Sequence, residues 1–208
     1  MDENILEKLE QFFSQYKSFH FKKKDTIINA QETPKGVYFI KSGNVRLYSI
    51  SSEGQELTLN IFKPGSYFSM MWAIGDIPND YYFQAMTPVE VWLAPKADLV
   101  GYLKKEPEVL FELTRRILIG LAGTLRSTEL LLFGKASDKI YAVLVTLAKR
   151  FGQPGKNKET VIQLPLTHQD IANLTGLTRE TVSLEIKRLE RKGTIGYQKK
   201  LIFVKISP

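Results

Sequence analysis

The sequence predicts an α+β chain with an N-terminal antiparallel β-roll, a long central dimerisation helix and a C-terminal winged helix-turn-helix. Three observations carry this. Residues 19–94 run in short alternating stretches broken by glycines, residues 106–133 switch to an unusually apolar helical pattern, and the last third combines two short capped helices with an excess of basic residues. The chain divides accordingly into a β-roll domain over 1–105, a dimerisation helix and hinge over 106–134, and a winged helix-turn-helix over 135–208.

The β-type runs are "GVYFIKSGNVRLYSI", "GQELTLNIF", "PGSYFS", "YYFQAM" and "VEVWLAP". Gly36, Gly43, Gly54 and Gly65 mark bends at spacings of 7, 11 and 11 residues, which suits an all-β roll or barrel. A metal enzyme on such a barrel needs clustered histidine and carboxylate ligands. The chain holds only His20 and His168, and neither has a neighbour that suggests a catalytic triad, so no enzyme and no metal site is expected.

From Glu106 to Phe133, Leu110, Leu113, Ile117 and Leu131 form one stripe, and Phe111, Leu118, Leu121, Leu125 and Leu132 another. Two stripes need two surfaces to bury them. One is assigned to the β-module and the other to the same helix of a second subunit, with Gly120 and Gly123 permitting close approach at the seam. A central helix buried within one monomer is the alternative. "FGKASDK" at 133–139 then breaks the pattern as a hinge, before a new amphipathic helix, "IYAVLVTLAKRFG".

In the last third, Thr167 and Asp170 have capping-box spacing at the start of "THQDIANLTG", and Thr178 is a second N-cap. Gly176 supplies the left-handed residue of a tight turn between the two helices, with Leu174 and Leu177 sealing the corner. In the second helix Val182, Ile186 and Leu189 recur at i, i+4, i+7 and turn inward; Glu180, Ser183, Leu184 and Lys187 gather on the opposite side, with Arg179 at the border. Gly193 ends the run, and "TIGYQ" and "LIFVKI" around Lys199 and Lys200 predict a hairpin wing.

Residues 135–208 hold 14 Lys/Arg against 6 Asp/Glu, a net +8, whereas residues 1–134 hold 15 against 16, a net −1. A local excess of that size is the footprint expected for a phosphate backbone, so nucleic acid is the leading partner. The alternative is a helical hairpin with a solvated charged face. A membrane-surface role is disfavoured, because the apolar face of 178–191 is needed to close the small domain's own core. The longest apolar run, "ILIGLAG", is far too short to span a bilayer, and the start "MDENILEKLEQFF" lacks the basic head of a signal peptide. Cytoplasm is the expected compartment. Without cysteine, disulfides, thiolate zinc sites and iron-sulfur clusters are excluded.

Order and motifs together resemble the Crp/Fnr family of bacterial transcription factors over essentially the whole chain. "LTHQDIANLTGLTRETVSLEIKRLERKG" is similar to the family's DNA-binding motif almost position for position, and "GVYFIKSGNVRLY" more loosely to the opening strands of its cyclic-nucleotide-binding-like roll. The resemblance implies a homodimer that reads an inverted repeat in double-stranded DNA through two winged helices, with an effector-sensing roll and RNA polymerase as a candidate partner. Carried over by position, Arg179, Glu180 and Ser183 contact base edges. Arg can fork onto guanine O6 and N7, and Glu can accept from cytosine N4. Leu184 replaces an arginine that many relatives carry, and a leucine there can touch a thymine methyl. Ser137, His168, Gln169, Thr178, Thr181, Lys187, Lys199 and Lys200 are the candidates for phosphate contact.

On the effector side, cyclic-nucleotide-binding relatives carry a glutamate for the ribose and an arginine for the phosphate. Alignment on the flanking strands puts Met70 at the first position and Asn79 at the second, with Asp80 and Tyr81 following. Losing the arginine removes charge-assisted hydrogen bonds of about 1.5 to 3 kcal/mol, so cyclic AMP binding is disfavoured. Haem has only His20 as a candidate ligand in this domain and is not expected. Met70, Met71, Trp72, Tyr81, Tyr82 and Phe83 form either an apolar pocket against Thr124 and Leu125 for an unidentified small molecule, or simply core. Two other readings stay open: a cyclic-nucleotide-dependent regulator with an altered pocket, and a sensor or scaffold whose winged helix binds protein.

Overall fold

The computed structural model describes residues 3–156 and 159–205. Met1 and Asp2 of the amphipathic start and Ile206 of the run "LIFVKI" therefore lie outside the described residues. Two compact units are present, Met1–Ala122 and Gly123–Pro208.

The first unit opens with α1 (Glu3–Ser14), whose Ile5, Leu9, Phe12 and Phe13 repeat at helical spacing and are buried. Eight strands come next: β1 (Ser18–Phe21), β2 (Thr26–Ile28), β3 (Val37–Ser42), β4 (Val45–Ile50), β5 (Glu56–Phe62), β6 (Tyr67–Phe68), β7 (Tyr82–Ala85) and β8 (Val89–Ala94). They pair antiparallel in two sheets, β1-β8-β3-β6 and β2-β7-β4-β5. Ile28, Tyr38, Ile40, Val45, Phe68, Phe83, Ala85, Val89 and Val91 come from both sheets and form one apolar cluster between them. Side chains alternate across a strand, so Val37 and Phe39 leave the opposite face of β3 and join a second cluster with α1. The Phe39 ring stacks on Phe13 at 5.0 Å and on Trp92 at 5.7 Å. A strand buried on both faces explains why "VYFI" is continuously apolar.

Of the four glycines expected at bends, Gly43, Gly54 and Gly65 have positive φ. At Gly43, φ is 84° and a Cβ would stand 2.1 Å from the Pro88 carbonyl oxygen, so no other residue fits this turn.

Two helices carry no strong periodic signal: α2 (Met70–Gly75), which comes after a strand of only two residues, and α3 (Lys96–Lys105). Leu99 and Leu103 of α3, with Ala73 of α2, complete the cluster around α1.

The long helix α4 (Pro107–Phe133) starts with proline at its first position, where the missing N–H has no helical partner anyway, and with Glu108 in its first turn. Only Val109 and Leu113 are buried, both in the first unit's core. This changes the expected stripes. Leu113 is committed to the first unit's core, Leu131 is half-buried, and Leu110, Ile117 and Leu121 are exposed together with Phe111, Leu118, Leu125 and Leu132. A Cβ at Gly120 or Gly123 would meet nothing within 4 Å. The unit boundary falls inside α4, and the break expected over 133–139 follows at Gly134 and Lys135, where the helix ends. The helix's early turns are anchored by Val109 and Leu113, while its end is tied to the next helix, where Lys139 Nζ donates to the Leu131 carbonyl at 2.7 Å.

The second unit continues with α5 (Ala136–Phe151), a hairpin of β9 (Gly152–Pro154) and β10 (Glu159–Ile162), α6 (His168–Thr175), α7 (Arg179–Arg191), and a second hairpin of β11 (Ile195–Gln198) and β12 (Leu201–Lys205). The sheet order is β11-β12-β10-β9. Ile140, Leu144, Leu147 and Ala148 of α5 are buried, and α5 packs against both α6 and α7.

The β11-β12 turn consists of Lys199 and Lys200 alone, with φ of 48° and 67°. Two positive φ values are the requirement of a type I′ hairpin, which favours Asn-Gly over two lysines. The left-handed conformation costs a residue with a Cβ about 1–2 kcal/mol, and glycine returns about 0.5–1 kcal/mol of that as unfolded-chain entropy. Lys200→Gly is therefore expected to stabilise the second unit by about 0.5–1 kcal/mol, read as an increase in the urea midpoint at unchanged slope.

Candidate nucleic-acid interface

Thr167 caps α6 through a reciprocal pair. Its hydroxyl accepts from the Asp170 N–H at 3.1 Å, and its own N–H donates to the Asp170 carboxylate at 2.8 Å. The helix ends at Gly176, where φ is 65° and the N–H returns to the Ala172 carbonyl. Leu174 and Leu177 are half-buried on either side of this corner. Helix α7 begins behind Thr178, whose hydroxyl accepts from the Thr181 N–H at 3.2 Å. The Thr178 and Thr181 hydroxyls also meet each other at 2.9 Å.

Val182, Ile186 and Leu189 are buried, so the opposite side of α7 is turned outward. Arg179, Glu180, Leu184 and Lys187 are exposed there, Leu184 to 61%. Among the described residues, neither Arg179 nor Glu180 has a side-chain partner. Arg188, by contrast, pairs with Glu185 at 2.6 Å. The face thus presents a planar cation, a carboxylate, a branched apolar side chain and a flexible cation over two turns, a set that suits base edges and phosphates.

Ser183 is bound differently. Its hydroxyl donates to the Arg179 carbonyl at 2.9 Å and lies 2.8 Å from His168 Nδ1. The other ring nitrogen, Nε2, is 3.2 Å from the Tyr197 hydroxyl on β11. Burial, reinforced by Glu190, pushes the Tyr197 phenol above its ordinary pKa, so it stays a neutral O–H. The His168 ring, expected at a phosphate, is thus engaged within the protein by both nitrogens. Gln169 is exposed, with Nε2 donating to Asn173 Oδ1 at 2.8 Å. Ser137 lies in the first turn of α5, where its hydroxyl meets the Asp138 carboxylate at 3.3 Å. Lys199 and Lys200 stand exposed at the tip of the wing. Sequence reasoning misses Tyr197. It lies 29 positions from His168, and strand alternation alone says nothing about what its hydroxyl meets.

The residues expected at an effector pocket are distributed over several elements. Met70 and Trp72 pack against the cluster around α1, Phe83 lies between the two sheets, and Tyr82 stacks on Tyr48 at 5.1 Å. Met71 is exposed and Tyr81 half-buried. Asn79 Nδ2 donates to the Asn29 and Tyr81 carbonyls, both at 2.9 Å. Thr124 and Leu125 belong to the other unit and are exposed. The hollow beside Met70, lined also by Leu9, Phe13, Tyr67, Leu99 and Leu113, measures about 10 Å³, at most the room of one water.

Comparison with known proteins accords with both units. Residues 18–106 match the cyclic nucleotide-binding domain and residues 138–206 the Crp-like helix-turn-helix domain. The chain is 30% identical over 190 residues to the global nitrogen regulator of Nostoc sp., covering 88% of this chain and 83% of that one. A solved transcriptional regulator of the CRP/FNR family from Thermus thermophilus superposes with a TM-score of 0.71 at 27% identity, covering 90% of this chain and 93% of the other. A CooA mutant from Carboxydothermus hydrogenoformans shares the fold at a TM-score of 0.81 and 22% identity, over 99% and 92%. With these matches spanning both units, the chain belongs to the Crp/Fnr family of transcription regulators, DNA-binding proteins rather than enzymes.

Proposed function

We propose that two copies of this chain bind an inverted repeat in duplex DNA, each inserting α7 into a major groove, and that they do so without cyclic AMP. The observation that carries the reading is the outward face of α7, with Arg179, Glu180 and Leu184 exposed opposite a buried apolar stripe. Arg179 forks onto a guanine, Glu180 accepts from a cytosine amino group, and Leu184 covers a thymine methyl. Lys187, Lys199 and Lys200 supply cations for the backbone on either side, together with the hydroxyls of Ser137, Thr178 and Thr181 and the amide of Gln169. The place of action is the compartment that holds the DNA, the cytoplasm. RNA polymerase and a small-molecule effector enter this reading through the family alone.

Dimerisation is supported by the exposed apolar side chains of α4. Phe111, Ile117, Leu118, Leu121, Leu125 and Leu132 are each more than half exposed on one helix, more hydrocarbon than a helix ordinarily leaves in water. A second α4 about a two-fold axis would cover them, and the two recognition helices would then meet major grooves about 34 Å apart.

The residues at the cyclic-nucleotide positions do not fit that ligand. Met70 offers a thioether where a ribose hydroxyl needs an acceptor, and it is packed into hydrocarbon. The Asn79 amide carries no charge and its donors are spent on backbone carbonyls, with Asp80 exposed beside it.

Selection of binding sites from random duplex DNA by the purified, effector-free protein tests the whole reading, and a two-fold inverted repeat is the expected result. Binding without any motif would remove the claim of base reading. Arg179→Ala is expected to weaken the selected site by about 1–3 kcal/mol and to relax one base preference, whereas Lys199→Ala weakens all sequences alike and lowers the salt slope by about 1. Leu184→Arg should move one half-site position from T towards G in the same selection; an unmoved preference would place Leu184 off the bases. Leu118→Glu with Leu125→Glu puts four like charges at a two-fold seam. Sedimentation should then give a monomer that retains its far-ultraviolet spectrum, and an intact dimer would mean that the seam lies elsewhere.

A further inference from the structure

His168 occupies an unusual place in this interface. It stands on the first residue of α6, yet its ring links the recognition helix to the wing, through Ser183 at 2.8 Å and Tyr197 at 3.2 Å. The hydrogens can be assigned from the contacts. A serine hydroxyl has one hydrogen and two lone pairs. That hydrogen goes to the Arg179 carbonyl, 2.9 Å away, so the contact with His168 is a hydrogen bond only if Nδ1 carries a proton and donates to Oγ. Nε2 then either accepts from the Tyr197 hydroxyl or, when the ring is charged, donates to it. Ser183 is unaffected by that choice: in both states its hydrogen is spent and one lone pair remains.

We propose that His168 is a positioning residue for base reading, which holds the Ser183 hydroxyl as an acceptor and thereby makes it select a base-edge amino group, cytosine N4 or adenine N6, over the carbonyl oxygens of guanine and thymine. This rests on the DNA-reading role of α7 proposed above. A free serine is indifferent, because its hydroxyl can rotate to donate or accept. A serine held by Nδ1–H on one side and by its own helix carbonyl on the other has lost that freedom. An amino group meets the remaining lone pair, whereas a guanine O6 or thymine O4 placed there faces an acceptor with no hydrogen between them. Selectivity thus arises from a residue that need not touch DNA.

Asparagine and glutamine separate the two ends of the ring. An asparagine amide reaches the position of Nδ1, and a glutamine amide that of Nε2. Wild type, His168→Asn, His168→Gln, Ser183→Ala and Tyr197→Phe are carried through the same random-site selection, as full-length protein. The expected result is an amino-base preference at one half-site position, roughly 3- to 10-fold for one hydrogen bond, kept in His168→Asn and Tyr197→Phe and lost in His168→Gln and Ser183→Ala. His168→Ala added to Ser183→Ala should change that position no further, since the two act as one unit. A His168→Gln protein that selects the wild-type site at every position would overturn the proposal, as would a His168→Asn protein that weakens all sequences uniformly, the mark of a phosphate contact. Wild-type protein that yields no motif would instead sink the DNA-reading role itself.

Discussion

The roll of α7 about its own axis determines what this protein can read. Val182, Ile186 and Leu189 are buried in the core that α5 and α6 also line, and a helix anchored along one stripe has no rotational freedom left. Burying such side chains stabilises by about 1.5–3 kcal/mol each, far more than any single surface contact on the other face. Arg179, Glu180 and Leu184 are consequently directed outward as a by-product of core formation. The reciprocal Thr167–Asp170 cap and the left-handed Gly176 then set where α6 stops and at what corner α7 starts.

The first unit is organised in the same way. Strand β3 is buried on both faces, one set of alternate side chains meeting the second sheet and the other meeting α1. The aromatic stack from Phe13 through Phe39 to Trp92 ties the N-terminal helix to that strand. Val109 and Leu113 are the buried residues by which helix α4 is anchored to this core, near its N-terminus. The apolar side chains further along it, Phe111, Ile117, Leu118, Leu121, Leu125 and Leu132 among them, stay exposed.

The side chains expected around an effector are distributed over several parts of the first unit. Met70 and Trp72 serve the α1 cluster and Tyr82 stacks on Tyr48, while Asn79 is occupied with backbone carbonyls. A methionine fills irregular gaps without demanding a partner, so its presence in the sequence is compatible with either a pocket or a core.

Much of the architecture was legible in the order of residues, because periodicity, caps and glycines act over a few positions. The helix-turn-helix with its capping box, the buried stripe of α7, the two-lysine wing and the long α4 all derive from spacings of two to four residues. Leu184 could be placed outward for the same reason. The helices α2 and α3 could not be seen, since their few apolar residues are buried by contacts with α1 and α4 rather than by a pattern of their own. Which face of α4 is spent on the first unit's core was likewise open: Leu113 and Leu110 are three positions apart with the same chemistry, and only the shape of the core takes one and leaves the other. The link from Ser183 through His168 to Tyr197 joins three elements distant in the chain, and hydrogen bonds between them depend on distances that only the folded backbone fixes.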